Sequence, residues 1–194
     1  MSDTILLPKS PVLETERLFL RSFREDDAGA VTSILRNARC AETYLLPDYP
    51  EPEDALPLVS RLREFSLDPE RFVYAVARKD PHGGDTLIGF LNEQTRESGK
   101  VEIGYVLHPD FWNRGYMTEA VGAVIRELFR MGASAVRAGH FEENISSRRV
   151  MEKNGMAAIP LSEELDYRGR VHRVLYREIT REAFLSSREE ASRG

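Results

Sequence analysis

Cysteine is nearly absent from this chain. Cys40 is the only one among 194 residues, so no intrachain disulfide can form, which fits a reducing compartment. Long apolar runs are missing too. None approaches the roughly 20 residues a membrane helix needs. The N-terminal Ile5-Leu6-Leu7 gives way at once to Pro8 and Lys9, too short for a signal-peptide core. The expected location is cytoplasmic, with no membrane partner. There is no surplus of positive charge: 27 Lys and Arg face 32 Asp and Glu, a net charge of −5. Broad attraction to nucleic acid or anionic lipid is thereby excluded. His82, His108, His140 and His172 lack metal-ligand spacing, so no metal is expected. No G-x-x-x-x-G-K-S/T run occurs, which argues against a P-loop nucleotide enzyme. With no internal repeat, low-complexity block or dividing linker, residues 1–194 read as a single domain. Its core should span residues 12–182, with a frayed N-terminal arm and a frayed tail from residue 186.

The most informative stretch runs from Lys100 to Phe129. Lys100–Leu107 is rich in β-branched and aromatic residues and reads as a strand, with Val101, Ile103, Tyr105 and Leu107 on one face. His108–Arg114 is a connector. From Gly115, apolar residues recur at helical spacing: Met117, Ala120, Val121, Val124, Ile125, Leu128 and Phe129. The first turn of a helix leaves N–H groups unpaired at the positive end of the macrodipole. Gly115 lets that backbone approach a bulky anion and Thr118 adds a hydroxyl, so the stretch suits a pyrophosphate.

The flanking elements follow from the same periodicities. Strands are expected at 14–23, 71–77, 86–94, 135–141, 156–159 and 171–179. Helices are expected from Asp26 or Asp27 to Leu35, from Pro52 to Phe65 and from Asn144 to Lys153, with a last helical turn at Arg181–Leu185. Residues 36–52 have no clean period and are broken by Pro47 and Pro50. Early hairpins followed by helical crossovers argue for an α/β (α+β) domain on a mixed sheet.

Four blocks in order carry a family resemblance. They are Thr15-Glu16-Arg17-Leu18 with Glu25-Asp26-Asp27-Ala28; Glu102-Ile103-Gly104-Tyr105 with Trp112 to Ala120; Asn144-x-x-Ser147 with Val150 to Met156; and Leu175-Tyr176-Arg177 with Ile179 to Glu182. Together they resemble the GNAT N-acetyltransferases, in particular the branch typified by the ribosomal-protein N-acetyltransferases RimJ and RimL. The resemblance implies a twisted, mostly antiparallel sheet of about seven strands, splayed at strands 4 and 5 and flanked by about four helices. It implies acetyl-CoA as cosubstrate and an amine acceptor: a peptide N-terminus, a polyamine or an antibiotic-like amine. Similar proteins often form homodimers.

By the match, the pantetheine arm would lie on the backbone of Val106 and Leu107. The pyrophosphate would sit on Asn113, Arg114, Gly115, Tyr116, Met117 and Thr118, with Arg114 as the central positive charge. The family signature is Q/R-x-x-G-x-G/A; here Asp110 replaces its first residue and Asn113 its first glycine. Asn tolerates a left-handed backbone better than most residues, so the tight loop survives. Many relatives place a Tyr acid where this chain has Met151. The RimL-type pattern instead offers Ser147 as proton donor to sulfur and Asn144 as orienter of pantetheine or its water. The plainer alternative makes Asn144 an N-cap and Ser147 a surface residue. Glu102 is the general-base candidate, against an outer-face charge paired with an arginine. Tyr105 reads as core. The acceptor would be bound by 36–52 and the late hairpin, where Tyr44, Asp48, Tyr49, Glu163, Glu164 and Asp166 lie. A non-catalytic acyl-CoA-binding module of the same fold is the rival reading.

Overall fold

The computed structural model describes residues 7–191. The strands are β1 (Leu13–Glu14), β2 (Leu18–Arg21), β3 (Val73–Lys79), β4 (Asp85–Glu97), β5 (Lys100–Leu107), β6 (Ala135–Phe141), β7 (Ala157–Tyr167) and β8 (Arg170–Thr180). The helices are α1 (Ala28–Leu35), α2 (Ala38–Ala41), α3 (Leu56–Leu67), α4 (Tyr116–Met131), α5 (Ile145–Lys153) and α6 (Arg181–Ala191). The strands form one sheet in the order β1-β2-β3-β4-β5-β6-β8-β7. Every neighbouring pair is antiparallel except β5 and β6. That parallel pair is joined only where Lys100–Glu102 meets Ala135–Arg137. Beyond those residues the two strands are unpaired, and the sheet opens into a cleft. The splay falls on the strand pair expected from the resemblance, the short β1 adding one to the strand count.

Local chemistry explains the elements around the cleft. All seven apolar residues of the α4 stripe are buried, and they cover one face of the sheet. Gly132, at φ 115°, ends α4 in a left-handed conformation that glycine adopts without penalty. The other face is covered by α1 and α3 through Val31, Ile34, Leu35 and Leu62. Pro52 opens a 3-10 turn, Pro52–Ala55, that leads into α3. Arg21 is 5% exposed beneath that layer. It donates to Asp27 at 2.7 and 3.0 Å and to Asp85 at 2.5 Å, tying the turn before α1 to the start of β4. Burial alone would raise the Asp85 carboxyl, but Arg21 and Arg24 hold it below its ordinary value.

Three expectations are corrected. The late hairpin is much longer than the sequence suggested: β7 and β8 pair to Tyr167↔Arg170 around Arg168 and Gly169, at φ 53° and 73°. Pro160 reads as a strand end, yet β7 is an edge strand and carries it at a register shift between Ala158 and Ser162. The described part of the N-terminal arm is tied down: Lys9 Nζ donates to Ser66 O and Asp68 O, and Ser10 N donates to Glu127 at 2.6 Å. Residues 186–191 continue α6, while the remainder of the expected frayed ends, 1–6 and 192–194, lies outside the described residues.

Candidate active site: two cavities at the splay

The loop from β5 to α4 builds an anion nest. Asn113 and Gly115 are both left-handed, at φ 60° and 79°, and Gly115 is the N-cap of α4. Such a backbone turns N–H groups into one concavity at the positive end of the helix. A cavity of about 280 Å³ lies in front of it. Asn113, Gly115, Tyr116, Met117 and Thr118 line it from the loop, Val106 and Leu107 from β5, and Asn144 and Ser147 from the start of α5. Arg114 does not border this cavity. Its carbonyl accepts from Arg17 Nη1 at 2.9 Å and its guanidinium faces the Phe111 ring. The cations that do line the cavity are Arg149 and Lys153 of α5, one helical turn apart on one face.

The β5 backbone refines the pantetheine expectation. His108 N donates to Ile88 O at 2.8 Å. By antiparallel alternation, Val106 therefore turns its backbone groups to β4, and Tyr105 and Leu107 turn theirs to the cleft. The Leu107 carbonyl is already taken by Trp112 Nε1 at 2.7 Å and, more weakly, by Cys40 Sγ at 3.6 Å. The Leu107 N–H and the Tyr105 backbone are left facing the opening.

The opening block, Thr15 to Leu18, has a mechanical purpose here. Glu119, in the first turn of α4, accepts from Thr15 Oγ1 at 2.6 Å, Arg17 N at 2.9 Å and Arg17 Nε at 2.7 Å. The turn between β1 and β2 thus clamps the loop. Burial opposes ionisation of Glu119, but these partners reverse that and depress its pKa. The clamp's stabilisation is complete above the unfolded value near 4.5 and fades as pH falls through the lower folded value. Glu119→Gln should therefore cost about 1 kcal/mol at pH 7, Arg17 being half exposed, and much less near pH 3. Urea melts at the two pH values check this, and an equal loss at both would contradict it.

A second cavity, of about 330 Å³, lies between β5 and the β7–β8 hairpin. Its roof joins the two regions expected to hold the acceptor. The Tyr167 hydroxyl accepts from Leu46 N at 3.2 Å and donates to Leu46 O at 3.0 Å, and Arg168 pairs with Asp48 at 2.5 Å. Tyr44 and Glu163 line this cavity; Asp48, Tyr49, Glu164 and Asp166 do not. Glu102 also lines it, and among the described residues its carboxylate makes no hydrogen bond or ion pair. Arg137, the arginine nearest in charge, is paired with Glu178 at 3.3 Å. Burial raises the Glu102 pKa; Arg137 lowers it, and Glu163 and Glu97 push it up again.

The cavities share Thr43, Tyr105 and Ser147. Tyr105 OH lies 2.8 Å from Ser147 Oγ and 3.2 Å from Ser147 O. Burial lifts the Tyr105 phenol far above its ordinary range, outweighing the Ser147 hydrogen bond, so it stays protonated. Tyr105 packs against the main core, as its place on β5 suggests, and its hydroxyl also borders both cavities, which alternation alone does not reveal. Asn144 is an N-cap, its Oδ1 accepting from Ser147 N at 3.0 Å, and it borders the first cavity as well. Met151 is fully buried in the main core.

The charges of the two chambers are opposite. Among the described residues, Arg149 and Lys153 are the only formal charges lining the first, and Glu102 and Glu163 the only carboxylates lining the second, which has no Lys or Arg. The splayed sheet thus holds a left-handed loop with two cations before it, and that cavity meets an acidic chamber at paired hydroxyls. The chain belongs to the acetyltransferase (GNAT) domain family, whose family model matches residues 17–157, and it is an acetyltransferase. It is 30% identical to the uncharacterized N-acetyltransferase YnaD of Bacillus subtilis (strain 168) over 151 residues, 74% of this chain and 81% of that one. A GNAT-family acetyltransferase from Bacillus anthracis shares the fold at TM-score 0.74 and 24% identity, over 88% of this chain and 99% of that one. RimL, a ribosomal L7/L12 α-N-protein acetyltransferase solved with coenzyme A, matches at TM-score 0.73 and 18% identity, over 89% and 99%.

Proposed function

We propose that this acetyltransferase moves the acetyl group of acetyl-CoA directly to a primary amine, a protein N-terminal α-amine or a small-molecule amine, within a ternary complex. One observation carries the reading: two chambers of opposite charge meet at Tyr105 and Ser147. The first suits the CoA phosphates, received by the Asn113–Thr118 nest with Arg149 and Lys153; the solved neighbour holding coenzyme A agrees with that use. Acetyl-CoA supplies the thioester. Glu102 receives the ammonium and takes its proton, leaving a nucleophilic neutral amine. Ser147 gives its hydroxyl proton to the departing sulfur and regains one from Tyr105, which takes in turn the second proton that the attacking nitrogen gives up as the amide forms and so ends protonated, as burial favours. Holding both substrates across one junction supplies much of the acceleration. Because Tyr105 and Ser147 provide the hydroxyls, Met151 does not leave the site without an acid.

Thiol release from acetyl-CoA in the presence of a panel of primary amines tests the reaction. Binding without release for any amine would favour the non-catalytic module. Tyr105→Phe and Ser147→Ala should each lower kcat at least tenfold, about 10²-fold if general acid catalysis is fully lost. The acetyl-CoA Kd should hold. Since the two act as one unit, the double variant should be little worse than either alone. Wild-type kcat in both single variants would remove the pair as the acid.

A further inference from the structure

The acceptor chamber is selective in a way its charge alone does not express. Its polar side chains are engaged within the protein. Tyr44 OH donates to Asn92 Oδ1 at 2.8 Å and receives Gln94 Nε2 at 3.2 Å. Tyr176 OH donates to Glu163 at 2.5 Å, Tyr105 meets Ser147, and Thr43 Oγ1 donates to Cys40 O at 3.1 Å. His140 Nδ1 lies 2.8 Å from Phe141 O, which only accepts, so that nitrogen carries the proton. Burial lowers the His140 pKa, keeping the ring neutral. Glu102 is the exception, with no hydrogen-bond or ion-pair partner among the described residues.

The rest of the wall is apolar. Leu46, Leu62, Phe90 and Val174 are each at most 8% exposed, and Leu58 and Leu165 are among the other apolar residues that line it. The volume, about 330 Å³, is near the small end for a ligand site. A peptide entering this space could bond the Tyr105 backbone and His140 Nε2, but the engaged side chains of the wall offer its further amides few partners, and unpaired buried amides are costly. A polyamine would bring further ammonium groups. Among the described residues, Glu163, exposed and already bonded to Tyr176, is the one other carboxylate lining the chamber.

We propose that the acceptor is a compact primary monoamine on an aromatic or branched aliphatic body. Its nitrogen sits at Glu102, and its body packs against Leu58, Leu62, Phe90 and Val174. The inference rests on the acetyl-transfer reading and narrows it.

The test compares 2-phenylethylamine, spermidine and the tripeptide Ser-Ala-Ala as acceptors with the wild-type enzyme and acetyl-CoA. The expected result is a kcat/KM for 2-phenylethylamine at least tenfold above the other two. Leu58→Asn should then raise the KM for 2-phenylethylamine about tenfold, with kcat and acetyl-CoA affinity nearly unchanged, since a contact to the apolar body is lost. If that variant fails to bind acetyl-CoA, Leu165→Asn on the edge strand replaces it with the same expectation. Preference for spermidine or the tripeptide overturns the inference while acetyl transfer stands. A wild-type KM in the leucine variant overturns the packing of the body. Acetyl-CoA binding with no turnover of these three amines overturns the inference; turnover of another amine of the panel then leaves the transfer reading standing, and turnover of none overturns both.

Discussion

Glu102→Gln is expected to lower turnover by about 10²- to 10⁴-fold near neutral pH, the span usually lost with a general base, while acetyl-CoA binds as before. The amide keeps the shape of the side chain and its place on β5. It removes the charge that faces an ammonium and the site that takes its proton. The pH profile separates this from a packing defect. In the wild type, kcat/KM should rise with pH as Glu102 ionises, with a midpoint above the ordinary glutamate value of 4.5, because burial raises it. It should fall again where the amine itself loses its proton. The variant relies on whatever neutral amine exists in solution, so its rate should climb steadily with pH and its deficit should shrink toward alkaline conditions. A variant with the wild-type rate at pH 6 would falsify the assignment and return Glu102 to a charge on the sheet.

The local parts of this architecture could be read from sequence because they depend on near neighbours. The α4 stripe repeats every three to four residues, and Asn113 and Gly115 announce a left-handed loop by residue type. Glu102 and Ser147 were singled out through motif blocks, and the fold brings them to one chamber wall. The signals that failed are those in which distance along the chain hides proximity. Arg149 and Lys153 look like ordinary surface charges of a short helix. Only the crossover from β6 into α5 puts them beside the nest, where Arg114 had seemed the obvious cation. Tyr105 alternates with core residues and so reads as core. Its hydroxyl reaches Ser147, 42 positions later, because the strand pairing ends at Glu102. The buried Arg21–Asp27–Asp85 cluster is likewise invisible, since Asp85 lies 64 residues from Arg21. The expected strand 156–159 runs on through Pro160 for a related reason: an edge strand tolerates a proline, and whether a strand is an edge depends on the whole sheet.

Gly115→Val should weaken acetyl-CoA binding about 100-fold. Gly115 holds φ 79° and ψ 0°, a conformation that costs an L-residue about 1–2 kcal/mol and disfavours β-branched side chains most. A Cβ there would also meet Arg17 Nη2 at 3.3 Å, the guanidinium that steadies the Arg114 carbonyl. The loop can relieve this only by leaving the left-handed region, which turns its N–H groups away from the anion. Hydrogen bonds to a charged group are worth about 1.5–3 kcal/mol each. Losing one or two of them gives a penalty of about 3 kcal/mol, hence the 100-fold figure. Asn113→Gly is the informative contrast. It relaxes the other left-handed position, at φ 60°, without adding bulk, so affinity should stay within about threefold of wild type, less than one hydrogen bond's worth. Calorimetric titration with acetyl-CoA measures both, and a urea melt of each variant shows whether the rest of the fold is intact. Unchanged affinity in the valine variant, or an equal loss in both, would mean that the phosphates are not held by this backbone.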